Sequence, residues 1–202
     1  MDPLLYVFDL IVFIGIFSII SLSLNLEFGF AGLANFGKVA FFLVGAYTYA
    51  LLSQIGVPFY LCLIAGALIS AIFGLLVSLP ALRLRMDYLA IAILAFGEIL
   101  RLIVKSEDWL AGGDWGVTVS PAISLAGASH RVDALMNILL VYSCLLVCFV
   151  VVQLLANSPY GRAMRAIRED EVAAEALGKD RSKFKAQALM LGSAMAGVAG
   201  GL

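Results

Sequence analysis

The sequence has 202 residues, of which 63% are hydrophobic and 13% are charged, and its formal net charge is −1. Soluble domains carry roughly 25% charged residues, so this composition excludes an ordinary soluble domain. The near-neutral charge argues against a nucleic-acid partner. Several apolar runs approach the ~20 residues that cross a bilayer. The composition predicts an all-α fold class, a polytopic transmembrane helical bundle forming one domain over residues 1–202.

We predict six membrane spans, separated by short polar or charged segments. Their approximate bounds are residues 4–26, 39–52, 59–79, 88–106, 134–156 and 186–202. Segments 83–87 and 157–185 hold nine Lys and Arg residues, whereas segment 107–133 holds one, Arg131. Because basic residues favour the cytoplasmic side, the first two segments are predicted to be cytoplasmic. The N-terminus then faces outward, provided that residues 25–38 neither add nor remove a crossing.

The segment between the first two spans is rich in glycine and polar residues. Glycine weakens a helix by about 1 kcal/mol relative to alanine, and polar groups at membrane depth need partners. We therefore predict a broken or re-entrant segment lining a pathway, with a plain loop that permits close helix packing as the alternative. Lys38 is a candidate partner for Glu27, about three turns away if the segment were helical. The candidate pathway residues here are Asn25, Gly29, Gly32, Asn35, Gly37 and Lys38.

The fourth span contains Glu98 and Arg101, one turn apart. Ionisable residues inside a membrane segment are functional candidates, so Glu98 joins the predicted pathway residues. A structural ion pair is the favoured alternative, because an i, i+3 pair can satisfy itself locally. A third possibility is that Arg101 extends toward the outer interface.

Small residues recur every four positions in the third and sixth predicted spans. Such stripes allow two helices to approach closely in a membrane. The stripes are Gly66, Ser70 and Gly74 in the third span, and Gly192, Ala196 and Gly200 in the sixth, with Ser193, Gly197 and Gly201 beside them. We predict close helix contacts at these positions.

Segment 157–185 contains twelve charged residues, out of 13 basic and 14 acidic residues in the whole chain. Ser158 and Pro159 are expected to end the preceding span, and Asp170 to cap a new helix. Gly178 is placed to close that helix in a left-handed conformation. The apolar residues of the helix are small and suit docking into a partner: Val172, Ala173, Ala176 and Leu177. A solvated loop whose charges only fix topology is the alternative.

The sequence lacks the motifs of common enzymes. A phosphate-binding Gly-x-x-x-x-Gly-Lys-[Ser/Thr] loop is missing, because Asp180 follows Gly178-Lys179 and Ala173 occupies the first glycine position. His130 is the single histidine, which disfavours a Ser/His/Asp triad. We therefore predict no catalytic residues, no metal site and no cofactor. Any ATP hydrolysis would belong to a separate subunit.

Three blocks together resemble one family, the inner-membrane permease subunits of branched-chain amino acid ABC importers of the LivM-like type. The resemblance covers residues 25–202. The first block has the pattern N…G..G….G..AFF..GAY between Asn25 and Tyr47, and the second includes Phe96-Gly97-Glu98-Ile99-Leu100-Arg101. The third comprises Gly161-Arg162, Arg165-Ala166-Ile167-Arg168 and Ala173-Ala174-Glu175-Ala176-Leu177-Gly178. Gly112-Gly113 and Gly116 also resemble an external turn of that family.

This resemblance implies a multi-pass permease of a bacterial or archaeal cell membrane. It would work with cytoplasmic ABC ATPase subunits, a second permease subunit and an extracytoplasmic solute-binding protein. The coupling motif would dock on an ATPase through Arg168, Ala173, Ala174, Glu175, Leu177 and Gly178. Members of the family continue beyond a sixth span, so the resemblance also implies that the C-terminal part of the domain is missing.

Three alternatives to a branched-chain amino acid permease stay open at the level of sequence. One is a permease of the same family for urea or short amides. Another is a non-transporting, truncated membrane scaffold. An intramembrane enzyme is the third, and it would need a catalytic role for Glu98 without a second acid or base beside it.

Overall fold

The computed structural model describes residues 3–81, 86–107, 116, 117, 119 and 130–202. These residues form helices and no strand, which confirms the predicted all-α class. A π-helical segment, Asn25–Phe30, continues the first helix. The helices are α1 (Pro3–Leu24), α2 (Lys38–Gln54), α3 (Phe59–Ala81), α4 (Met86–Ser106), α5 (His130–Asn157), α6 (Pro159–Glu169), α7 (Glu171–Ala176) and α8 (Arg181–Gly201).

Three helical stretches in the described residues are long and apolar enough to cross a membrane: Leu4–Phe30, Phe59–Leu79 and Arg131–Asn157. They correspond to the first, third and fifth predicted spans. The other three predicted spans coincide with α2, α4 and α8. Helix α2 has only 17 residues, α4 carries Glu98 and Arg101, and α8 begins with charged residues. That α2, α4 and α8 also cross the membrane therefore stays a prediction.

Two helices extend beyond the approximate spans predicted from sequence. Helix α5 begins at His130, so residues 130–133, which were predicted to lie before the fifth span, are helical. Asp133 in the first turn favours this start, because a carboxylate complements the positive end of the helix dipole. Helix α3 likewise continues beyond the predicted span 59–79, to Ala81. The predicted Gly112-Gly113 turn and most of the loop at 83–87 lie outside the described residues.

Helix α8 packs against both α2 and α3 through small residues. At Gly45 a Cβ atom would lie 2.2 Å from the carbonyl oxygen of Gly197, so glycine is required for the two backbones to touch. Ser70 of α3 donates a hydrogen bond of 3.0 Å to the carbonyl of Phe41. The close contacts predicted from the small-residue stripes are therefore present in the structure.

The apolar core joins these helices to α1, α5 and α6. Helix α1 packs against α5 and α8, and α6 adds the buried side chains of Met164 and Ile167. The largest fully buried apolar side chains are Phe41, Ile19, Leu26, Leu33, Ile93, Met164, Ile167, Leu189 and Val141. The π-helical segment lies where these helices converge, and this placement sets the geometry of the site.

Candidate functional site

A buried ion pair joins the π-helical segment to the first residue of α2. The Nζ atom of Lys38 lies 2.6 Å from Oε1 of Glu27. The Glu27 side chain is 0% exposed and that of Lys38 is 6% exposed. Buried charges are stable only when they are paired and hydrogen-bonded, so each group depends on the other. The pairing of these residues proposed from sequence is confirmed.

The two residues meet because the chain breaks between them. Gly32 adopts a φ of +68°, a left-handed conformation that favours glycine. The N–H of Leu33 then donates a 2.9 Å hydrogen bond to the carbonyl of Glu27. Residues 31–37 are not helical, so the prediction of a broken segment between α1 and α2 is confirmed. A continuous helix would instead have placed the two charges about three turns apart.

Asn35 completes the polar cluster. Its Nδ2 atom donates a 2.9 Å hydrogen bond to Oε2 of Glu27, so both carboxylate oxygens are occupied. The Oδ1 atom of Asn35 is buried and has no hydrogen-bond partner within the described residues. Burying such an acceptor without a partner costs free energy.

Helix α8 closes the cluster through Gly192. A Cβ atom at Gly192 would lie 2.0 Å from Oε1 of Glu27, so only glycine leaves room for the carboxylate. The Ser23 hydroxyl donates a 2.6 Å hydrogen bond to the Gly192 carbonyl and fixes the two helices at this level. Sequence analysis assigned Gly192 to helix packing and missed its contact with Glu27. The glycine pattern alone does not distinguish these two uses.

The other predicted pathway residues are arranged differently. Asn25 is exposed, and its Oδ1 atom lies 2.3 Å from where a Cβ of Gly29 would be. Gly37 is buried against the main chain of Ile93, where an added Cβ atom would lie 2.3 Å from the Ile93 carbonyl oxygen. The structure therefore brings Asn35, Lys38 and Glu27 together, while Asn25 lies apart from the cluster.

Glu98 forms its own ion pair with Arg101 on α4, separate from the Glu27 cluster. The Arg101 Nε atom donates to Glu98 Oε2 at 2.9 Å, and Nη2 donates to Oε1 at 2.6 Å. This two-point geometry agrees with the structural ion pair favoured from sequence. About half of each side chain is exposed.

Two short helices, α6 and α7, lie in the charged segment 157–185. Helix α6 begins after Ser158, whose hydroxyl accepts a 3.3 Å hydrogen bond from the N–H of Gly161. Asp170 caps α7 by accepting hydrogen bonds from Val172 and Ala173 at 2.9 and 3.0 Å. Gly178 closes it with a φ of +77°. The capping by Asp170 and the left-handed Gly178 predicted for α7 are therefore present. Helix α6 is a further helix that the sequence analysis did not predict.

The end of α7 is a Schellman motif. The N–H of Gly178 donates to the Glu175 carbonyl at 2.9 Å, and the N–H of Lys179 donates to the Ala174 carbonyl at 3.0 Å. These bonds satisfy carbonyls that a short helix would otherwise leave unpaired. Helix α7 has only six residues, so its stability depends on both of its ends.

Helix α7 presents an apolar surface to solvent, formed by Val172, Ala173, Ala176 and Leu177. Val172 is 75% exposed and Leu177 is 82% exposed. Ala174, which the family resemblance placed among the coupling residues, is buried and faces the protein. Exposed apolar surface of this kind marks an interaction site when it is contiguous.

Ion pairs hold α7 against α8. Arg181 donates to Glu171 at 3.2 Å and to Glu175 at 2.8 Å, and Lys185 also pairs with Glu171. Partial burial acts to raise the pKa of Glu171, but its hydrogen bonds and charge interactions with Lys185 and Arg181 outweigh burial and lower the pKa below its ordinary value. Glu175, predicted to contact a partner, is thus already paired within the chain.

Helix α6 connects this surface to the π-helical segment. The guanidinium of Arg168 donates a hydrogen bond to the main-chain carbonyl of Gly29. The guanidinium of Arg165 lies 5.9 Å from the centre of the Phe30 ring, within the range of a cation–π interaction. Sequence analysis predicted Arg168 as a contact for a partner, whereas in the structure it also reaches inward to the chain break.

These features define the class of the protein. It is a helical membrane protein with small-residue helix contacts, a chain break stabilised by a buried ion pair, and a pair of short charged helices joined to that break. A family model described as "Branched-chain amino acid transport system / permease component" matches residues 6–202. The chain therefore belongs to this family of transport permeases.

Individual relatives agree with that assignment. The "High-affinity branched-chain amino acid transport system permease protein LivM" of Salmonella typhimurium and that of Escherichia coli are each 35% identical to this chain over 210 residues. Each match covers 93% of this chain and 49% of the relative. The probable branched-chain amino acid transport permease protein LivM of Methanocaldococcus jannaschii is 30% identical over 226 residues, covering 95% of this chain and 65% of the relative.

The chain spans about half the length of the two bacterial LivM relatives that it matches. No solved structure matches it.

Proposed function

We propose that this chain is a permease subunit of an ATP-driven importer and forms part of the pathway for branched-chain, small hydrophobic amino acids. Its partners are cytoplasmic ABC ATPase subunits, a second permease subunit and an extracytoplasmic solute-binding protein. The chain itself is not an enzyme, and a partner hydrolyses ATP. The names of the relatives refer to branched-chain amino acids, so the urea alternative is not favoured.

The observation that carries this proposal is the apolar surface of α7. Its apolar side chains are solvent-exposed, while caps and ion pairs fix the backbone that presents them. A rigid, preorganised surface loses little conformational entropy when a partner binds. Basic residues in segment 157–185 favour the cytoplasmic side, where an ATPase is available.

The buried cluster is the proposed intramembrane end of the coupling path. Movement imposed on α7 passes to α6, and from α6 through Arg168 to the π-helical segment that holds Glu27. Irregular backbone at membrane depth is tolerated where protein covers it or a water-filled cavity meets it. The same arrangement supports a multi-pass topology in a bacterial or archaeal cell membrane, with Asn25, Gly29, Gly32, Asn35, Gly37 and Lys38 at or near the pathway.

The test is co-purification of partners from detergent-solubilised membranes with the tagged chain. We expect an ABC ATPase and a second permease to accompany the wild-type chain. Leu177→Glu should abolish recovery of the ATPase, because a charge would be buried in the apolar contact. Ile55→Glu, in the equally exposed turn after α2, is the matched control and should leave recovery unchanged. Absence of any ATPase from the wild-type complex would instead favour a non-transporting scaffold.

A further inference from the structure

A groove runs between the start of α2 and the second half of α4. It encloses a cavity of about 300 Å³, within the range of small-ligand sites, which is roughly 300–1,000 Å³. Phe36, Leu43 and Leu94 supply apolar walls, and Glu98 and Arg101 lie at one end. The groove thus combines an apolar compartment with one negative and one positive charge.

The floor of the groove consists of small residues. Gly97 packs against Ala40, where a Cβ added at Gly97 would be 3.3 Å from the Ala40 methyl carbon. Leu94, Gly97, Glu98 and Arg101 are spaced as one stripe along α4, so all four face the groove. The small floor leaves the volume between the larger side chains open.

The Glu98–Arg101 pair retains unused hydrogen-bonding capacity. Arg101 gives Nε–H and one Nη2–H to the carboxylate, which leaves the remaining guanidinium N–H groups as donors. Each Glu98 oxygen can accept a further hydrogen bond. The side chains are 51% and 55% exposed, so a ligand can reach both charges without separating them.

Lipid is an unfavourable environment for this pair if α4 spans the membrane. Glu98 lies in the interior of a helix that runs from Met86 to Ser106, and a charge facing hydrocarbon is costly. A water-filled pathway or another protein surface is therefore the more favourable environment for the groove. Its charge arrangement favours a small ligand that carries both signs.

We propose that this groove is a binding site for a zwitterionic amino acid with a branched apolar side chain. The ammonium group lies beside Glu98, the carboxylate lies beside Arg101, and the side chain occupies the space between Phe36 and Leu94. The charge pair of the ligand then runs antiparallel to the Glu98–Arg101 pair, so the protein's ion pair stays intact while the ligand binds. The inference rests on the proposed function, since it assigns a site to the same class of substrate.

Binding of L-leucine to the purified full chain in lipid nanodiscs, followed by saturation-transfer NMR, tests this site. Two further probes each lack one charge: 4-methylpentanoate has no ammonium group, and 3-methylbutylamine has no carboxylate. We expect saturable binding of leucine and about tenfold or greater weakening for either probe, because a charge-assisted hydrogen bond is lost. No saturable leucine binding, or equal binding of all three compounds, overturns the inference.

Variants locate the site. Glu98→Gln and Arg101→Gln should each weaken leucine binding by about tenfold. Val39→Trp, at a 72% exposed lining position, should block the groove while leaving the core untouched. Leu102→Ala is the matched control on α4, since Leu102 is similarly exposed but does not line the groove. Unchanged binding in the three groove variants overturns the site.

Uptake separates failure of this inference from failure of the proposed function. The gene is deleted in its own host and supplied again as wild type or variant, and uptake of labelled leucine is measured. Normal uptake by the groove variants overturns the site but leaves the permease function standing. Loss of the second permease from the purified complex, with leucine binding intact, assigns the groove to a subunit contact and also overturns the inference.

Discussion

Arg168 of α6 donates a hydrogen bond to the main-chain carbonyl of Gly29, in the π-helical segment. The segment also holds Glu27, whose carboxylate pairs with Lys38 at the start of α2. Together with the contact of Arg165 with Phe30, this side chain joins the charged helices to the buried break in the chain. Helix α6 is anchored further by the buried side chains of Met164 and Ile167, so it and the segment form one packed unit.

The first prediction concerns this connection. Arg168→Gln should leave recovery of the ATPase unchanged, because the apolar surface of α7 is not altered. Leucine uptake per molecule of ATP hydrolysed should fall by about fivefold or more, which is a typical strength of coupling between two sites. Arg162→Gln is the matched control, since Arg162 bonds only to the nearby Asn157 carbonyl among the contacts described. Equal loss in both variants would contradict a specific role for Arg168.

The second prediction concerns the buried ion pair. Lys38→Met or Glu27→Gln alone should destabilise the protein by about 3–5 kcal/mol, because each leaves a buried polar group without its partner. The double variant should be less destabilised than the sum of the two, since neither charge is then stranded. Unfolding of purified protein in detergent, monitored by circular dichroism, measures the three free energies. Additive losses would show that the two residues are not coupled.

The third prediction concerns acid. Because the pKa of Glu171 is lower in the folded protein, its ionised form stabilises the contact between α7 and α8 fully above the unfolded-chain value, about 4.3. This stabilisation is lost as the pH falls through the lower folded value. We expect the protection factors of the α7 amides, which correct the hydrogen-exchange rates for the intrinsic effect of pH, to fall over that interval.

Glu171→Gln provides the comparison for this pH dependence. The variant should have lower protection factors at neutral pH and a smaller additional loss of protection on acidification. Some acid dependence should remain, because hydrogen bonds from the main chain and the side chain of Lys183 lower the pKa of Asp180 as well. Identical pH profiles for wild type and variant would exclude Glu171 as the responsible group.

Local features of the fold were predictable from sequence. Asp170 and Gly178 define the two ends of α7 through short-range hydrogen bonds and a backbone angle, and both depend on residues within one helical turn. The helix positions were similarly predictable, because long apolar runs have few other stable structures in a membrane. The glycine and polar residues around Glu27 and Lys38 correctly indicated a chain break.

Contacts between distant segments could not be predicted in the same way. The bond between Arg168 and Gly29 joins positions 139 residues apart, and its acceptor is a main-chain carbonyl, which every residue has. Gly192 has a similar sequence signature to the packing glycines beside it, yet it faces the Glu27 carboxylate. Which glycine meets a charge depends on the rotation and translation of α8, which the sequence pattern does not specify.

The direct contact between the backbones at Gly45 and Gly197 has a mechanical consequence. With no side chains between them, α2 and α8 have little freedom to slide or rotate without a collision. Ser70 ties α3 to the same pair through the Phe41 carbonyl. We expect these three helices to behave as a stiff frame during a reaction cycle. Helix α4, whose packing on this frame is less extensive, is then the element best suited to tilt.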